Sequence, residues 1–147
     1  MPRPTATGRA PHRHGDGGLV DEICDVTITA AGAEWLAGWV RGLVEDRLAA
    51  CGNIDVGAVR SIYRWEGRVE DEVEARVTLH TRCSLVPEII ARADRDHPYD
   101  TPQVLAVPVV AAHPGYHRWV LDSTGPAEPP GGAAAGGATG PTPAASL

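Results

Sequence analysis

Lysine and phenylalanine are missing from this chain of 147 residues, and several other residue types are scarce. All 13 basic residues are arginine. Without lysine there is no P-loop phosphate contact, no Schiff base and no pyridoxal-phosphate site. Ser61, Ser84, Ser123 and Ser146 are the only serines, and none stands in a Gly-x-Ser-x-Gly elbow. Asn53 and Gln103 are the only side-chain amides. No apolar run approaches the roughly 20 residues of a membrane-spanning helix, so no membrane partner is expected. A net charge of −6 also argues against nucleic acid, whose phosphates want a basic face. These absences point to a binding protein rather than an enzyme.

What is present is unevenly distributed. Ten of the 17 glycines and eight of the 13 prolines lie in residues 1–20 or 125–147, whereas all seven aromatics lie between Trp35 and Trp119. Segments so poor in apolar residues cannot offset their ordering entropy. Residues 1–21 are therefore expected to be a disordered leader, 22–124 one folded domain, and 125–147 a disordered tail. The leader carries three arginines but no apolar stretch follows, so it does not read as a secretory signal. A cytoplasmic location follows as an expectation, with Cys24, Cys51 and Cys83 as free thiols; their spacing matches no zinc template.

Within 22–124 the periodicities are clear. Cys24, Val26, Ile28 and Ala30 alternate with Asp25, Thr27 and Thr29, as in a half-buried strand. Leu36, Val40, Leu43, Val44 and Leu48 recur at helical spacing and predict a helix over 33–49, weakened by Gly38 and Gly42. Two strands, 58–66 and 69–81, are joined by Glu66-Gly67-Arg68 as a long hairpin. A second helix is expected from a Ser84 cap, with Glu88 in its first turn, to His97 before Pro98. A strand over 103–110 and a short helix or turn over 116–121 complete the chain. The order β-α-β-β-α-β is that of an α+β, ferredoxin-like fold: an antiparallel sheet with both helices on one face.

Several residues carry candidate chemistry. His97 stands among Asp94, Asp96 and Asp100, where an imidazole with a carboxylate such as Asp96 could hold copper or zinc. The competing role is a ring hydrogen bond to a backbone carbonyl that fixes the Pro98 turn. Glu70, Glu72 and Glu74 form an acidic ladder read as a solvated, ion-paired face opposite Arg60, Arg64 and Arg68; a carboxylate metal ladder is the disfavoured alternative, because no loop converges the ligands. Tyr63 and Trp65 share a strand face and either pack at a subunit seam or line a cleft with Tyr99. His113 precedes Pro114 and so falls before the helix that holds His117, which disfavours a metal pair. His12 and His14 are expected to be solvated.

Three strings carry a family resemblance: Leu48-Ala49-Ala50-Cys51, Ser61-Ile62-Tyr63-Arg64-Trp65-Glu66-Gly67 and His97-Pro98-Tyr99-Asp100-Thr101-Pro102. In this order and spacing the chain resembles the CutA divalent-ion tolerance family over residues 24–122. The resemblance implies a stable ferredoxin-like homotrimer whose hairpins reach a neighbouring subunit. It also implies an association with a divalent metal ion, copper or zinc, not essential for folding, and no established enzymatic activity. Where copper binding has been proposed in the family, its ligands are a first-strand cysteine and two consecutive histidines. Here His97 matches one histidine, while Asp96 and Ile28 occupy the other two positions. Tyr63, Trp65, Glu66 and Tyr99 are then expected at a ligand cleft or trimer interface. The hairpin arms exceed the usual strand length of about 5–6 residues and themselves call for a partner. The alternative is a trimer similar to the PII signalling proteins, binding a small effector in clefts between subunits. An acylphosphatase-like hydrolase is disfavoured, because Ala30-Ala31-Gly32-Ala33 offers no arginine to cradle a phosphate.

Overall fold

The computed structural model describes residues 22–55 and 57–127, so the expected leader and nearly all of the expected tail lie outside the described residues. Alternating apolar residues give β1 (Ile23–Ala30), whose Val26, Ile28 and Ala30 are fully buried. Next come α1 (Ala33–Glu45) and β2 (Cys51–Ile54), then the hairpin of β3 (Val59–Trp65) and β4 (Arg68–Arg82). A short 3-10 turn (Cys83–Leu85), α2 (Val86–Asp96), β5 (Val104–Pro108) and α3 (Pro114–Asp122) follow.

The sheet order is β2-β4-β1-β5, every neighbouring pair antiparallel, with β3 continuing along β4 beyond β2. Since β1 and β2 both run against β4, they are parallel, and β4 is inserted between them. This is the split β-α-β of the ferredoxin-like fold. Leu36, Val40 and Leu43 of α1 and Ile89 of α2 close over Val26, Ile28, Val77 and Leu79 to make the core. The opposite face carries Asp25, Thr27, Thr29, Arg76, Thr78 and His80, and α3 packs at one end of it through Val120, Ile23 and Ala50.

Several local expectations are corrected. The helix expected to reach residue 49 stops at Glu45, and Arg47 takes a left-handed conformation (φ 60°). There Leu48 and Ala49 turn into the core, and the Ala50 amide donates to the His80 carbonyl at 2.9 Å. Pairing with β4 therefore outweighs the helix propensity of Leu-Ala-Ala and creates β2, a strand the periodicity does not suggest. The N-cap position of α2 is Leu85 rather than Ser84, which lies in the 3-10 turn that leads into the helix. The last strand is shorter than expected, because it pairs with β1 only from Val104 to Pro108.

The cysteines are not all free. Cys24 and Cys83 form a disulfide with Cα atoms 5.1 Å apart, and only Cys51 keeps a thiol. The β1–β4 register places Cys24 opposite Thr81, and the Cys83 amide bonds to the Glu22 carbonyl. Two residues 59 apart in sequence thus become neighbours, which no local spacing reveals.

Candidate functional site

The hairpin turn determines which side chains meet. Glu66 and Gly67 both have positive φ, 48° and 78°, the geometry of a two-residue type I′ turn. That turn pairs Trp65 with Arg68, Tyr63 with Glu70 and Ser61 with Glu72. Tyr63, Trp65, Glu70, Glu72 and Glu74 therefore share one face. The expected pairing of the acidic ladder with Arg60, Arg64 and Arg68 is corrected by this register. Arg60 instead bonds Asp71 on the other face, at 2.6 and 2.8 Å, and its guanidinium holds the Asp71 carboxyl below the usual range. Only Arg68 approaches the ladder, 3.6 Å from Glu70.

The acidic face forms one wall of an open cavity of about 750 Å³, and the loop after α2 forms the other. Tyr63, Trp65, Glu72 and Glu74 line it together with Tyr99, Asp100 and Gln103. The Tyr63 hydroxyl donates to Glu72 at 2.8 Å, and the Tyr99 hydroxyl to Glu74 at 3.1 Å. Glu74, unlike its neighbours in the ladder, is buried at 8% exposure. The Glu72 bond, with smaller contributions from burial and nearby carboxylates, pushes the Tyr63 phenol up to about 12. Burial first, then the Glu74 bond, does the same to Tyr99. Both phenols stay protonated donors at neutral pH. Of the expected cleft residues, Tyr63, Trp65 and Tyr99 do converge. Glu66 sits at the exposed tip of the turn and does not line the cavity.

His97 is buried at the C-terminus of α2. Its Nδ1 accepts the Tyr99 amide at 3.0 Å, so Nε2 carries the proton and donates to the Thr29 carbonyl at 2.9 Å. The ring also lies 5.0 Å from Trp35 and 4.9 Å from Tyr99. Asp96 accepts Trp39 Nε1 at 3.1 Å and Arg95 at 2.9 Å, and the Arg95 bond holds its carboxyl below the usual range. Ile28 is an aliphatic side chain with 0% exposure, and Cys24 is tied to Cys83. The donor set associated with copper in the family therefore does not fit these positions. Among the described residues, no three His, Cys, Asp or Glu side chains form a group able to hold a metal ion. His97 is the pin of the loop that presents Tyr99 and Asp100.

His113 caps α3, its Nδ1 accepting the Gly115 amide at 3.1 Å, and does not pair with His117. Sequence reasoning missed Trp35 and Trp39, which stack at 5.7 Å and hold the His97 loop. Their spacing of four residues on one helical face was the available signal. It also missed the partnering of Glu72 and Glu74 with the two phenols, which depends on the hairpin register.

A split β-α-β sheet, a hairpin extending past it and a cleft beside the hairpin define a small ferredoxin-like protein with a ligand-sized recess. Residues 24–123 match the family described as CutA1 divalent ion tolerance protein. The chain belongs to the CutA1 family. Its similarity to the divalent-cation tolerance protein CutA of Thermus thermophilus is 36% identity over 100 residues, covering 68% of this chain and 96% of the relative. The solved structure of that protein superposes with a TM-score of 0.67, covering 70% of this chain and 99% of the other, at 35% identity. Protein CutA of Mus musculus is 32% identical over 114 residues, 78% of this chain; the match spans 64% of the mouse protein, less than two thirds of it. A structure described as the periplasmic divalent cation tolerance protein CutA of Archaeoglobus fulgidus has a TM-score of 0.66 at 28% identity, covering 69% of this chain and 97% of the other.

Proposed function

We propose that this chain is a homotrimeric divalent-ion tolerance protein that binds its ion or a small ligand in the acidic cleft between the hairpin and the His97–Pro102 loop. The observation that carries this reading is the cleft itself: Glu72 and the buried Glu74 face it with phenols rather than arginines as hydrogen-bond partners. An oxygen-rich wall of this kind suits zinc or a harder divalent cation better than copper held by sulfur. The names of the Thermus and Archaeoglobus relatives support the link to divalent cations. Binding rather than catalysis suits phenols held protonated to about pH 12.

The trimer rests on the hairpin. Residues 68–74 of β4 pair with β3 on one edge while β1 ends opposite Ala75, so the other edge of this stretch is open within the subunit. Ile62, Val69 and Val73 on the outer hairpin face are each about two-thirds exposed, at 64%, 65% and 66%. Open edges and apolar side chains together call for a second chain.

Isothermal titration of the full chain with zinc, manganese and copper, repeated on Glu72→Gln, tests the site. Binding that weakens at least tenfold in the variant supports it; unchanged binding overturns it. The ring cluster of Tyr63, Trp65 and Tyr99 also favours a second reading, a PII-like small effector. Heat on titration with ATP or ADP but not with metals would establish that reading instead. No helix among the described residues is long and apolar enough to cross a membrane. The cytoplasmic location suggested by sequence has a counterweight in the Cys24–Cys83 disulfide, a bond typical of oxidising compartments. Fractionation of cells decides between cytoplasm and periplasm.

A further inference from the structure

Away from the acidic cleft, the open sheet face holds a second cluster with its own chemistry. Cys51 on β2, His80 on β4 and Asp25 on β1 stand in one row, since Cys51 and Asp25 are both register partners of His80. His80 Nδ1 lies 2.7 Å from Asp25 Oδ1, which leaves Nε2 as the outward lone pair. Asn53 bridges the other two: its Nδ2 donates to His80 Nε2 at 2.9 Å, and its Oδ1 accepts the Cys51 thiol at 3.5 Å. One amide touches both atoms, so sulfur and nitrogen face the same small volume. Tyr116 lies edge-on to His80 with ring centroids 6.0 Å apart. The Asn53 side chain is exposed and can swing away; the histidine, at 19% side-chain exposure, is held from behind by its carboxylate.

We propose that Cys51 Sγ and His80 Nε2, with Asp25 orienting the imidazole, form a site for a single thiophilic metal cation. Directly opposed residues on antiparallel strands place their Cβ atoms about 5 Å apart on one face. Metal–sulfur and metal–nitrogen bonds of about 2.3 and 2.0 Å bridge side chains at that separation. A histidine that gives its other ring proton to a carboxylate is the usual form of a metal-ligating imidazole, because the bond selects the tautomer and fixes the ring. Binding requires that Cys51 release its proton to solvent and that the Asn53 amide turn away from Nε2. With two strong protein ligands, the site favours soft or borderline ions of low coordination number over calcium or magnesium. It is independent of the acidic cleft.

The disulfide simplifies the test, since Cys51 is the single thiol. Cadmium titrated into the full, non-reduced chain reports through the thiolate-to-cadmium charge-transfer band in the near ultraviolet, with zinc as competitor. The expected result is one cadmium per chain, a band lost in Cys51→Ser and an affinity at least tenfold lower in His80→Phe. Asp25→Asn, nearly isosteric, should weaken binding about tenfold or more. Asn53→Ala should bind as tightly or more tightly, because the competing amide is gone. Thermal melts of each variant report folding, and the two conservative changes keep the test open if His80→Phe unfolds. A band absent from the parent chain overturns the proposal. So does a band whose strength and affinity ignore both His80→Phe and Asp25→Asn, which would mean a surface thiol acting alone. Glu72→Gln should leave the cadmium band unaltered, so failure of the cleft reading and failure of this site give different results.

Discussion

His97 spends both ring nitrogens on backbone groups, one on Thr29 and one on Tyr99, while buried beneath Trp35. Replacing it with alanine leaves a buried carbonyl and amide without partners and opens a cavity. His97→Ala should therefore cost roughly 2–3 kcal/mol in urea unfolding, large for one residue. The local sequence made this role legible, since a histidine before Pro98 at a helix end needs such a bond. It could not show that the acceptor is Thr29, on a strand 68 residues away. The cleft phenols make a separate prediction. Tyr63 and Tyr99 are raised from 10.0 to about 12, so their neutral forms are favoured by folding. The stability they contribute is present below pH 10 and lost as pH rises through about 12. Phenolate absorbance from Tyr63 and Tyr99 should appear only as pH approaches about 12 in the native chain, and Glu72→Gln should bring the Tyr63 transition down toward 10.0.

Elements, rather than residues, decide where glycine matters. Gly38 and Gly42 lie in α1 with nothing within 4 Å of the Cβ each would carry. They bring no backbone close; they only weaken the helix. Gly38→Ala should stabilise the protein by about 0.5–1 kcal/mol in thermal or urea melts. Gly52 on β2 is different: an added Cβ would sit 2.4 Å from Val40 and 3.2 Å from Leu79. Gly52→Ala should cost about 1–3 kcal/mol because α1 must shift off the sheet. Periodicity located α1, α2, β1 and the hairpin, where apolar spacing persists over many residues. It missed β2, a four-residue strand whose only reason to be extended is β4 beside it. The end of α3 is a similar case. Arg47 Nε bonds the Gly125 carbonyl at 2.7 Å, Arg82 a terminal helix carbonyl, Leu121 O, at 2.5 Å, and Thr124 is 2% exposed. The ordered chain therefore continues through Gly125. Two arginines distant in sequence serve as the cations this helix end lacks.

At the scale of the whole molecule, the disulfide and the hairpin act on different species. Linking Cys24 to Cys83 closes a loop across 59 residues and restrains mainly the unfolded chain. In the chain-entropy picture, reduction should lower stability by up to about 4 kcal/mol, read as a shift in urea midpoint with and without reductant. The hairpin instead carries the proposed trimer. Sedimentation should give the mass of a trimer, and Val73→Glu with Ile62→Glu should shift it toward the monomer while leaving the subunit folded. By itself, the sequence determined the binary pattern of strands and helices, the glycine-bearing hairpin connection Glu66-Gly67-Arg68 and the family strings, because these depend on residues near one another in the chain. Tertiary structure alone decided the disulfide, the partnering of phenols with carboxylates and the Cys51–His80–Asp25 row. Each is a meeting across strands, and strand register is settled by the packing of the whole sheet against its two helices.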